Sequence, residues 1–182
     1  MQSKDILLND RFSDYLRETR LYKEMYSSKE GITAIVLAVI SASALTLNAH
    51  LVSADTFTNS VYILLSLTLG GTFGLLGFLV GGLGILIGSI SDEMIDIIDK
   101  GRKFKSLLSI VFRFYFDGAV LAVFIFLGII DYLLLMFPYP IFLWLIFTLG
   151  SLTAYFFWYS LMLSVMLLGS SIRIIILRHN LK

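Results

Sequence analysis

The chain opens with about 30 residues that are polar and charged on both signs, then alternates long apolar runs with short polar breaks. A bilayer's hydrocarbon core takes about 20 apolar residues per helix. The first such run spans Ile32 to about Val52, and the second starts near Asn59 and stays apolar to Ile90. Charged residues from Asp92 to Lys105 interrupt. The third run extends from Ser106 to Phe137, where Pro138-Tyr139-Pro140 forces a turn. The fourth begins at Ile141 and persists nearly to Leu177. The pattern predicts an all-α fold, an integral membrane four-helix bundle. Its spans lie at about 32–52, 59–91, 106–137 and 141–177, with a loop at 92–105 and a separate segment at 1–30.

Three of these helices exceed the membrane's thickness. The second reaches roughly 48 Å and the fourth roughly 55 Å at 1.5 Å per residue, against a core of about 30 Å. Tilt absorbs part of the excess, and the rest is expected to project from one face. The segment at 1–30 reads as an amphipathic helix along Phe12, Tyr15, Leu16, Tyr22, Met25 and Tyr26. It either packs against the inner face of its own bundle or serves to dock a partner.

Charge adds the orientation. Thirteen of the fourteen Lys and Arg residues lie before the first span, in the central loop or in the tail, and the last is Arg113 inside the third helix. The loop near Asn48–Thr58 and the Pro138 turn carry none. Positive residues stay on the cytoplasmic side, which predicts N-in, C-in topology with cytoplasmic helix extensions. Tyr62, Tyr132, Tyr139 and Trp144 fall where an outer aromatic belt is expected, and Trp158 and Tyr159 where an inner one is. Composition agrees: 58% hydrophobic, 15% charged, mean hydropathy +0.88. A net charge of +1 with no basic face argues against direct nucleic-acid binding. The absence of cysteine excludes disulfides and thiolate metal sites.

The densest motif lies in the second helix. Gly70, Gly74, Gly77, Gly81, Gly84 and Gly88 recur at steps of four and three, with Gly71 and Gly82 beside them. Glycine costs roughly 1 kcal/mol against alanine inside a helix in water, so six in register call for a reason. Between lipid tails, small residues let helix backbones approach and gain dispersion contacts. Ala34, Ala38 and Ala42 of the first helix offer a matching surface within the chain. The other reading puts the seam between copies, in a homo-oligomer with or without a pore.

Ionisable residues inside the spans are the next candidates. Arg113 and Asp117 are four apart on one helix face, which predicts an intramembrane ion pair near the inner interface, as a staple or a switch. Asp131 sits near the outer interface beside Tyr132. In the central loop Asp92, Asp96 and Asp99 share one helical face, either simply solvated or read by a soluble protein partner. Catalysis is not expected, nor any cofactor or metal. His50 and His179 fall at opposite membrane faces, and Asp117 and Asp131 lie about 21 Å apart along one helix, too far for a dyad.

In layout the whole chain resembles the small four-helix membrane subunits of bacterial anti-phage defence systems, and is similar to the membrane component of the two-gene Kiwa system. That resemblance implies a homo-oligomeric membrane sensor that controls a cytoplasmic, DNA-binding partner protein, and it assigns no residue a role. The competing class is a small channel or holin-like pore. A pore needs a polar track along one helix face. Ser66, Thr68 and Thr72, or Thr148, Ser151 and Thr153, offer only a partial one.

Overall fold

The computed structural model describes Leu16 and residues 21–88, 104–137 and 143–179. These form five helices: α1 (Leu21–Ser27), α2 (Lys29–Leu51), α3 (Ala54–Gly88), α4 (Phe104–Leu134) and α5 (Leu143–His179). Four contain stretches long and apolar enough to cross a membrane: Lys29–Leu51, Ala54–Ile85, Ile110–Leu134 and Trp144–Gly169. The chain is therefore an all-helical, multi-pass membrane protein by helix length and composition.

The junctions follow local chemistry. Ser28 is extended and caps α2, its Oγ accepting from Gly31 N–H at 2.9 Å. The chain reverses so tightly there that a Cβ on Gly31 would collide with the Met25 carbonyl. Only glycine fits without a shift. At the other end of α2 the loop expected over 48–58 shrinks to Val52 and Ser53. The reason is a good helix start: Ser53 Oγ meets the Thr56 hydroxyl at 2.8 Å, and Asp55 places negative charge in the first turn of α3.

The helices pack in the order α2, α5, α4, α3, with α1 folded back on α2. Consecutive α2 and α3 scarcely touch although a two-residue turn joins them. They also differ in length. From their shared turn, the 35 residues of α3 outrun the 23 of α2 by roughly 18 Å. Helix α1 sits beside the start of α2. Leu21 is buried with Ala34 of α2, Phe116 and Val120 of α4, and Tyr159 and Leu163 of α5. A second cluster joins Leu79 of α3, Phe114 and Leu121 of α4, and Leu167 of α5. In lipid such clusters hold by close packing rather than by escape from water. The α1 residues described thus pack on their own bundle.

Candidate functional site

Polar side chains inside the bundle are arranged differently from the sequence expectation. Asp117 of α4 is fully buried and points at α5, where Ser160 Oγ donates to its Oδ1 and Ser164 Oγ to its Oδ2, both at 2.8 Å. Serines four apart stand one above the other on a helix face, so both reach one carboxylate. Arg113 makes no pair with Asp117. Its Nη2 instead lies 3.3 Å from both carboxylate oxygens of Glu24 on α1, and its Nη1 is 3.8 Å from Met166 Sδ. The expected i, i+4 pair loses because the carboxylate is already satisfied by two hydroxyls. The long Arg113 side chain can snorkel towards α1, out of the apolar layer.

Tyr155 and Trp158 tie the other elements together. Tyr155 hydroxyl donates to the Met25 carbonyl at 2.8 Å, and Trp158 Nε1 donates to Ser41 Oγ at 3.0 Å. Tyr159 is wholly buried and stacks on Tyr155 with centroids 5.9 Å apart. Trp158 and Tyr159 are thus structural contacts between helices, not a belt facing lipid. At the turn end Tyr62 and Tyr132 hydrogen-bond through their hydroxyls and their rings lie 4.4 Å apart. Next to Tyr132 on the same helix, buried Asp131 accepts a 2.6 Å bond from Thr153 through Oδ2, while its Oδ1 has no donor among the described residues.

The glycine seam turns away from the other described residues. Gly70, Gly74, Gly77, Gly81, Gly84 and Gly88 are all exposed, and a Cβ built on any of them would meet nothing within 4 Å. Packing against α2 or α5 is therefore not what they do within one chain. Ala34 and Ala38, offered by sequence as their match, are buried on an α2 that packs chiefly on α5. The glycines that bring helices together inside the chain are others. A Cβ on Gly82 would approach the Phe114 ring to 3.2 Å, and one on Gly128 would approach Leu69 Cδ2 to 2.9 Å. Along α3, Phe73, Val80, Ile85 and Ile87 are also more than half exposed, so this helix presents a long apolar surface.

Asp92, Asp96 and Asp99 lie outside the described residues. Of the partners of the buried acids, Ser160 and Ser164 escaped the sequence reading, and Thr153 entered it only as part of a partial polar track. Their signal was hydroxyls on α5 facing acids of α4, visible only once the register between the two helices is known. Comparison with known proteins finds no match among protein families, curated proteins or solved structures.

Proposed function

We propose that the chain is a non-enzymatic, homo-oligomeric scaffold or sensor of the bacterial inner membrane, with both termini in the cytoplasm and a soluble cytoplasmic protein as its partner. The observation that carries this reading is the uncovered glycine face of α3. Six small residues in register leave a groove along the helix, and the described helices of the chain do not fill it. A second copy of α3 supplies the complementary surface, since small-residue faces gain dispersion contacts from close backbone approach.

The thirteen basic residues confined to one side argue for the orientation. The extra length of α3 beyond α2 then lies towards the cytoplasm, and the acidic residues Asp92, Asp96 and Asp99 follow it in sequence. The resemblance in layout to anti-phage membrane subunits supplies the biological context of the proposal. A scaffold ranks ahead of a pore because the candidate hydroxyls are engaged locally. Ser66, Thr68, Thr72, Thr148 and Ser151 each donate to a carbonyl of their own helix.

The chain has no cysteine, so disulfide trapping tests assembly cleanly. Gly77→Cys and Gly84→Cys should give crosslinked dimers in native membranes, and Tyr115→Cys, exposed on α4, should not. Monomers from both glycine positions would sink the reading. Partner docking is tested by reversing Asp92, Asp96 and Asp99 to Lys and co-purifying the product of the neighbouring gene. The wild type should retain that protein and the reversed form should lose it. Strong conductance of the pure protein in planar bilayers would move the pore into first place.

A further inference from the structure

Where α2 and α3 part company, the bundle leaves a cavity of about 260 Å³ near the turn end, partly open to the outside. Most of its wall is apolar and aromatic, including Leu65, Phe124, Phe157 and Trp158. Asp131 lines it and is 3% exposed. Of its two carboxylate oxygens, Oδ2 is held by Thr153, while Oδ1 has no donor among the described residues. A buried acceptor left unpaired costs about 1–3 kcal/mol, so a donor entering this cavity gains a bond that the fold does not supply.

Among the described residues, no basic side chain lines it. Arg113 lies on the same helix about 27 Å away, committed to Glu24. His50, at the end of α2, is exposed. The wall also disfavours a bare metal ion, which takes six or more oxygens when bound by hard ligands. Besides Asp131, the polar side chains here are Ser41, Thr68 and Thr153. The last two donate to oxygens of the chain, and Ser41 accepts from Trp158. Aromatic faces, by contrast, attract an organic cation.

We infer that this cavity is a binding site for a primary ammonium carried on a small apolar body, with Asp131 Oδ1 accepting from the ammonium and the aromatic wall holding the body. The inference stands whether or not the chain assembles through α3. Two sources offer this chemistry, a free amphiphilic amine and the ammonium of phosphatidylethanolamine, because Asp131 lies only one turn below the end of α4.

The test uses the full chain in phosphatidylglycerol nanodiscs with 4-bromobenzylamine, whose bromine quenches tryptophan on contact. Trp144→Phe leaves Trp158, which lines the cavity, as the only tryptophan. Quenching should saturate, and Asp131→Asn should weaken it at least tenfold. The neutral 4-bromobenzyl alcohol should bind both forms alike. Nanodiscs containing phosphatidylethanolamine then separate the sources. Competition by that lipid identifies the headgroup as the occupant, and its absence identifies a free amine. Equal amine binding by wild type and Asp131→Asn would overturn the inference. So would displacement by sodium but not by choline at equal ionic strength. Should Asp131→Asn not yield folded protein, Ala42→Leu keeps the acid and fills the cavity. It should abolish quenching, and undiminished quenching would count against the site.

Discussion

Arg113 on α4 grips Glu24 on α1, with one guanidinium nitrogen 3.3 Å from both carboxylate oxygens, and leaves Asp117, one turn along its own helix, to two serines of α5. The pair joins the short helix before the first span to the third. With side chains 29% and 39% exposed, it is a contact at the bundle's edge rather than a buried bridge. Such pairs contribute about 0–1 kcal/mol, so its role is to position α1 rather than to stabilise the whole fold.

Charge exchange checks that role. Glu24→Arg should loosen α1 and raise maleimide labelling of a cysteine placed at Leu21, which is buried in the wild type. Adding Arg113→Glu should restore protection. Equal labelling of the single and double variants would show that α1 is held by apolar packing alone.

The Asp117 cluster should behave as a structural unit. Removing both hydroxyls, by Ser160→Ala with Ser164→Ala, leaves a buried carboxyl without its donors. Stability should fall by about 1–3 kcal/mol for each lost partner, read from denaturant unfolding in micelles. Replacing Ser151, whose hydroxyl donates only to its own helix at Phe147, should change far less.

Fold and assembly separate at the glycines. Open space surrounds a Cβ at Gly77, so Gly77→Ala should leave the monomer's thermal unfolding unchanged or raise it. Gly77→Leu should keep the helix content by circular dichroism and reduce the oligomer to smaller species. Gly31→Ala should do the reverse, because its Cβ collides with the Met25 carbonyl inside the chain. It should lower stability, with no selective effect on oligomer size.

Topology has a direct readout at the two-residue turn. Ser53 is exposed, so Ser53→Cys should react with a membrane-impermeant maleimide on intact cells, with cytoplasmic reporters active at both termini. Reaction only after lysis would invert the orientation.

Hydropathy determines much of this protein without any coordinates. The four spans emerge from continuous runs of about 20 apolar residues, because a helix pairs every backbone group within such a segment, as lipid requires. The structure adjusts their ends, as where Ser53 and Asp55 start α3 earlier than its apolar run suggests. What a one-dimensional pattern does not contain is which face of each helix turns inward. In water, polar residues mark the outside. Here α3 and α5 are apolar nearly all round, since lipid and protein neighbours are equally greasy. Tertiary packing alone therefore decides that Gly82 faces α4 while Gly81 beside it faces outward. It decides equally that Asp117 meets Ser160 and Ser164 rather than Arg113, and that Asp131, with one carboxylate oxygen unpartnered among the described residues, lines a cavity walled by α2, α3, α4 and α5. Those choices depend on the register between α4 and α5 and on the splay of α2 from α3, and both are set by side chains far apart along the chain.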